Sequence, residues 1–180
     1  MTDNAVTRLA HTGDLADLVD LAVRSFRDAF GGDNDKRDLE DYLSSSMSIG
    51  KLEEEIRDAN SIFIVACSDH TDNLIGYAKL RNRSCHASVV GEAAIEIERI
   101  YADSSMIGKG IGAALMTECL MRARSSGCDA IWLGVWEKNQ RAIQFYERWG
   151  FSIVGERGFK LGSDMQNDLI MSKRLSCEDG

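Results

Sequence analysis

The chain has 180 residues, 44% of them hydrophobic and 28% charged, which is enough for one domain with a full core. A net charge of −8 argues against nucleic acid as the main partner, because a phosphate backbone demands a basic face. No apolar run reaches the roughly 18 residues of a membrane span, and "MTDNAVTRLAHTGDL" lacks the basic-then-apolar pattern of a signal peptide. The expectation is a cytoplasmic protein with no membrane partner.

In chain order, "AVTRLA" reads as a short strand, and Thr12 with Asp14 open an amphipathic helix through about Ala29. A second helix covers about Asp35 to Ser45, and Ser48 caps a third over "IGKLEEEIRDA". "SIFIVACSD" and "LIGYAKLR" are two strands of a hairpin joined at "HTDN". The strand "AAIEIERIYA" alternates strictly around Glu96 and Glu98. A glycine turn and the helix "IGAALMTECLMRARS" come next, then the strand "AIWLGV". "NQRAIQFYERW" is a helix with Asn139 at its start and Gly150 just past its end. "FSIVGERGF" and "DLIMSKRL" close the chain as an antiparallel pair. This order predicts an α/β fold with a mixed sheet, antiparallel at the start and with a parallel connection in the middle. No repeat, low-complexity tract or linker divides residues 1–180, so they are read as a single domain.

Cysteine usage agrees with a reducing compartment. Cys67, Cys85, Cys119, Cys128 and Cys177 are odd in number and without paired spacing, and His11, His70 and His86 share no ligand spacing with them. Free, mostly buried thiols and no metal site are expected.

The densest signal is "MIGKGIGAALM", Met106 to Met116. Glycine costs roughly 1 kcal/mol against alanine inside a helix, yet Gly108, Gly110 and Gly112 stand directly before an apolar helix. Backbone must come close to something there, and a helix start favours phosphate. "GKGIGA" satisfies G-x-G-x-x-A, but "DSSMI" separates it from the preceding strand, against a dinucleotide fold. No Gly-Lys-Ser/Thr ends the loop, which excludes a Walker A turn. Successive N–H groups from Gly108 to Ala113 form an anion nest suited to a pyrophosphate. Tight strand–helix packing without a ligand is the alternative.

These residues resemble the GNAT (Gcn5-related N-acetyltransferase) superfamily over most of the chain, most densely from Glu96 to Phe151. The family's Arg/Gln-x-x-Gly-x-Gly/Ala motif falls on "IGKGIG", with Ile107 replacing the usual first residue. A side-chain contact is thereby in doubt at Ile107, but not the backbone cradle of Gly108, Lys109, Gly110, Ile111, Gly112 and Ala113. "VWEKNQRAIQFYERWGF" resembles the second motif, in which Asn139 and the helix carrying Ala142 border the pantetheine arm and Tyr146 faces the thioester sulfur. The resemblance implies a mostly antiparallel sheet of about seven strands with a central parallel splayed pair, flanked by helices, and acetyl-CoA as cofactor. It also implies a bulge that frees the backbone of Ile100, Tyr101 and Ala102 for the pantetheine and the thioester carbonyl. "IEIERIYADSSMIGKGIG", "LGVWEKNQRAIQFYERWGF" and "DLIMSKRL" look like the PaiA-type spermidine/spermine N-acetyltransferases, and "SFRDAF" and "LEDYL" stand where that subgroup forms its acceptor side. A polyamine is then the implied acceptor, and a homodimer is compatible with everything above. A protein N-terminus, a lysine or another small amine are further acceptors within the class. An acyl-CoA-binding regulator and a nicotinamide oxidoreductase are the readings outside it.

Acetyl transfer to an amine needs a base, a donor for the oxyanion and a proton or dipole for the departing thiolate. Glu96 and Glu98, two apart on a strand, point to one face, and their closeness is expected to raise at least one pKa. Glu96 stands fourteen residues before Gly110, where several family members carry a catalytic glutamate. A water relay is the other route, and a solvated strand face is the alternative for each glutamate. Tyr146 shares a helix face with Ala142 and Trp149, as a core tyrosine would, and only the motif assigns it to the thiolate. Arg148, on a more polar face, is a candidate for a cofactor phosphate, with a solvated arginine as the alternative. Phe26, Phe30 and Tyr42 are candidates for an aliphatic or cation–π acceptor slot, with core packing as the alternative. The acidic balance is compatible with a cationic acceptor, with solubility alone as the alternative.

Overall fold

A computed structural model of the chain describes residues 5–32, 34–68, 72–82, 85–161 and 164–175. Its elements run β1 (Ala5–Leu9), α1 (Leu15–Phe30), α2 (Lys36–Ser46), α3 (Ile49–Arg57), β2 (Ser61–Ser68), β3 (Leu74–Asn82), β4 (Ala94–Ala102), α4 (Ile111–Ser125), β5 (Ala130–Trp136), α5 (Gln140–Arg148), β6 (Ser152–Leu161) and β7 (Asp164–Arg174). The order is the one read from the sequence. His70 and Thr71 of the expected hairpin turn, and Cys177, lie outside the described residues.

The strands form one sheet in the order β1-β2-β3-β4-β5-β7-β6. Every neighbouring pair is antiparallel except β4 and β5. That parallel pair needs a crossover, which α4 supplies. Helices α1, α2 and α3 cover one face through Leu18, Leu21, Phe26, Leu39, Leu43 and Leu52, packed on Phe63, Val65 and Tyr77. Helices α4 and α5 cover the other through Leu115, Met116, Cys119, Ile143 and Tyr146, packed on Ile64, Ile97, Ile131 and Leu133. Strand β2 therefore reads as an unbroken apolar run because both of its faces are buried. Gly76 on β3 lets the start of α4 close onto the sheet, since a Cβ there would stand 2.7 Å from Ile111 Cγ2.

One helix start differs from expectation. A 3-10 turn, Thr12–Asp14, precedes α1, and His11 caps it: His11 Nδ1 accepts from Gly13 N–H while Asp14 accepts from His11 N–H. Imidazole nitrogen replaces the hydroxyl that sequence rules favour at this position. Asp35 and Ser48 cap α2 and α3 as expected, accepting from Arg37 and Lys51 N–H. Among the described residues no helix is long and apolar enough to cross a membrane. Among them, too, no group of three or more His, Cys, Asp or Glu is placed to hold a metal ion.

Candidate active site

The parallel pairing of β4 with β5 lasts only from Ala94 to Glu96. Beyond it β5 stays paired with β7 as far as Trp136, while β4 follows β3 and leaves β5. The divergence coincides with a bulge: Lys79 faces Arg99 and Leu80 faces Ile97, so Glu98 is the extra residue. Past the bulge, Asp103 N–H donates to Ile75 O at 2.9 Å. Antiparallel alternation then turns the N–H and C=O of Ile100 and Ala102 away from β3, into the gap before β5.

The glycine turn stands at the mouth of that gap. Gly108 and Gly110 have φ of +84° and +85°, and a Cβ at either would meet nothing within 4 Å. Gly110 is the left-handed residue that starts α4, where side chains other than glycine are strained. The first bond of α4 runs from Ala114 N–H to Gly110 O, so the N–H groups of Ile111, Gly112 and Ala113 have no intrahelical acceptor. A Cβ on Gly112 would meet the Phe145 ring at 3.6 Å, an ordinary contact, so packing alone does not demand glycine there. Ile107 is 45% exposed at the rim.

A cleft of about 640 Å³ joins these features. Its wall includes Ile100, Tyr101, Ala102, Ile107, Gly108, Gly110, Ile111, Gly112 and Ala113 from the first half of the site, and Asn139, Ala142, Tyr146 and Arg148 from α5. Lys109 alone of the predicted cofactor residues is off the wall, its Nζ turned to Met106 Sδ. Asn139 Oδ1 accepts from Ala142 N–H and so fixes the start of α5. Tyr146 is 8% exposed between Phe145 and Phe151. Burial, with the Cys119 thiol beside it, pushes its phenol well above the ordinary value, so it is a protonated donor at neutral pH. Burial also pushes Cys119 up to about 12, which leaves that thiol inert. Tyr101 is raised by burial as well.

The two glutamates share a face as expected, yet cations separate them. Glu98 lines the cleft and pairs with Lys79 at 3.0 Å and Arg99 at 3.6 Å. Lys79 and Arg99 both reach Glu55 of α3, so a buried ionic network clamps the bulge to that helix. Glu96 is off the wall, with Oε1 3.4 Å from Arg157. Arg157 lies over Trp132 and also approaches Asp168, and a Cβ on Gly134 would stand 2.7 Å from its guanidinium. The mutual repulsion expected of two neighbouring carboxylates is therefore answered by a separate arginine or lysine for each. Of the aromatic candidates, Phe30 lines the cleft, whereas Phe26 and Tyr42 do not; they stack at 4.8 Å within the α1–α2 core. Ser25, Asp28, Gly134 and Arg141 also line it, and none of them is a site residue expected from the sequence.

The acetyltransferase (GNAT) family model matches residues 15–151. The chain belongs to that family. An N-acetyltransferase from Lactobacillus delbrueckii subsp. lactis, named uncharacterized and encoded in the pepI 3' region, is 33% identical over 162 residues, covering 90% of this chain and 92% of that one. The spermine/spermidine N(1)-acetyltransferase of Bacillus subtilis (strain 168) is 33% identical over 80 residues, 44% of this chain and 49% of its own. The crystal structure of the PaiA N-acetyltransferase from Thermoplasma acidophilum in complex with coenzyme A shares the fold, with a TM-score of 0.77 at 23% identity over 96% of this chain and 99% of that one. This GNAT protein is an N-acetyltransferase, and acetyl-CoA is its acetyl donor. The cleft fits that donor: unpaired amides at a helix start suit a pyrophosphate, and an open space beside Gly108 and Gly110 admits it.

Proposed function

We propose that this GNAT enzyme moves the acetyl group directly to a primary amine of a polyamine, with donor and acceptor bound together. One observation carries the reading: a single cleft is lined by the glycine turn, by Tyr146 and by the Glu98 carboxylate at the bulge. Acetyl-CoA supplies the acetyl group as a thioester. The amides of Ile111 to Ala113 hold its pyrophosphate, with Arg148 at the rim, and the exposed backbone of Ile100 and Ala102 aligns the pantetheine and the carbonyl. Asn139 and Ala142 form the opposite bank. Tyr146, protonated at neutral pH, donates to the sulfur as it leaves.

Glu98 is the carboxylate on the wall, so it attracts the acceptor's ammonium and passes its proton to water. Glu96 is off the wall and its charge is offset by Arg157, so it has the smaller part. A net charge of −8 and the partial match to a spermine/spermidine acetyltransferase support a polycationic acceptor. The test is thiol release from acetyl-CoA across spermidine, spermine, monoamines and peptides with a free N-terminus or lysine. Polyamines should give the highest kcat/KM, rising between about pH 7 and 9 as the reacting amine deprotonates. Glu98→Gln should flatten that rise more than Glu96→Gln. A peptide acetylated while polyamines are not would replace the polyamine by a protein acceptor.

A further inference from the structure

The buried stripe of α1 runs Leu18, Leu21, Ala22, Ser25 and Phe26, the spacing of a helix face turned to the core. Ser25 is the polar member. It is 4% exposed, and its Oγ has no hydrogen-bond partner among the described residues. Other helical hydroxyls here bond back along their own helix: Thr117 to Ala113 O and Ser125 to Met121 O, both at 2.9 Å. Ser25 does not, and it lines the cleft. An unpaired buried hydroxyl is a standing cost, and a ligand in the cleft would remove it.

Asp28 is one turn further along the same side of α1 and lines the same cleft. Its carboxylate is exposed. The arginines beside it are taken, Arg24 by Asp103 at 2.9 Å and Arg27 by Glu40 at 2.7 Å. Asp28 also lies in the last turn of α1, where the helix presents its partial negative charge. Phe30 completes the corner with its ring centroid 6.0 Å from that of Trp136. A carboxylate with no cation paired to it among the described residues, at a helix C-terminus, repels phosphate, so this corner is unsuited to the charged end of acetyl-CoA. It suits an ammonium with an alkyl chain.

We propose that Ser25 and Asp28 form a subsite for a second, still protonated nitrogen of the acceptor, held while another nitrogen reacts. The ammonium donates to the Asp28 carboxylate and to Ser25 Oγ, and the alkyl spacer lies against Phe30. This rests on the amine-acceptor reading above and adds its specificity: the subsite distinguishes polyamines from monoamines.

The test compares spermidine with butylamine on the wild type, Asp28→Asn, Asp28→Glu and Ser25→Ala, together with calorimetric acetyl-CoA binding and melting curves. Asp28→Asn should lower kcat/KM for spermidine about tenfold through KM, the size of a lost hydrogen bond to a charged group. Its kcat and its kcat/KM for butylamine should stay within about twofold. Asp28→Glu should recover part of the loss. Ser25→Ala should raise the spermidine KM by a smaller factor and melt no lower than wild type, because it deletes a hydroxyl that the fold leaves unpaired. Equal losses for spermidine and butylamine, weaker acetyl-CoA binding, or a lowered melting temperature in Ser25→Ala would each overturn the subsite. If the wild type acetylates no polyamine, the acceptor reading and the subsite both fall. If it does, and Asp28→Asn leaves the spermidine-to-butylamine ratio unchanged, the subsite alone falls.

Discussion

At the glycine turn the groups offered to the cleft are backbone amides at the start of α4. On the α1 side they are side chains: Ser25, Asp28, Phe30 and Glu98, backed by aromatic rings and a buried ionic network. The difference matters for what each side can discriminate. Amides at a helix start recognise the phosphate common to every CoA thioester and need no particular side chain. Carboxylates, hydroxyls and rings distinguish one amine from another, and each can change without disturbing the donor site. Substitutions on the two sides should therefore separate donor binding from acceptor use.

The sharpest break lies at Tyr146, where the sides meet. Tyr146→Phe keeps the ring packed between Phe145 and Phe151 and removes the proton. A fall in kcat of roughly 10²–10⁴-fold is expected, with the acetyl-CoA dissociation constant unchanged by calorimetry. An unchanged kcat with chemistry rate-limiting would return this residue to the core.

Glu55 tests the ionic clamp behind the bulge. Glu55→Ala leaves Lys79 and Arg99, both nearly buried, with Glu98 as their remaining close partner. Breaking a buried pair from one side costs about 3–5 kcal/mol, to be read from urea midpoints. At temperatures where the variant is folded, kcat/KM for the amine should fall while acetyl-CoA affinity holds.

Gly110 is the donor-side counterpart. At φ +85° an L side chain costs about 1–2 kcal/mol and more when β-branched. Gly110→Val should weaken acetyl-CoA binding roughly tenfold and leave the acceptor KM alone. Gly112→Ala should change binding little, because its methyl would meet the Phe145 ring in ordinary contact.

Asp14 supplies a control away from the cleft. Arg8 donates to its carboxylate at 2.7 Å and, together with His11 N–H, holds its pKa below the ordinary value. A depressed folded pKa adds stability that is complete above the unfolded value of about 3.9 and is lost as pH falls through the folded one. Asp14→Asn should therefore lower stability by about 1.5–3 kcal/mol at pH 7, and by progressively less below pH 4. Its kcat/KM at a permissive temperature should match wild type.

The donor side was legible in the sequence because its signals are local. Three glycines before a helix, Asn139 at a helix start and Gly150 after its end each act within a few residues. The acceptor side depends on distant elements. Nothing local pairs Glu55 with Arg99, 44 residues away, or brings Arg157 to Glu96, 61 away. Lys79 in the apolar run "LIGYAKLR" was the one visible hint, since a lysine buried in a central strand needs a carboxylate. The bulge at Glu98 leaves no mark in an alternating strand, and the resemblance alone implied it. Phe26 and Phe30 sit four apart on one helix, yet only the packing shows that one is core and the other wall.

Direct transfer requires both sides of the cleft to be filled at once, and initial velocities test this most plainly. Rates measured over a grid of acetyl-CoA and spermidine concentrations should give double-reciprocal lines that intersect, the mark of a ternary complex. Parallel lines, with acetyl retained on the protein after acetyl-CoA alone, would mean a covalent intermediate and contradict the account.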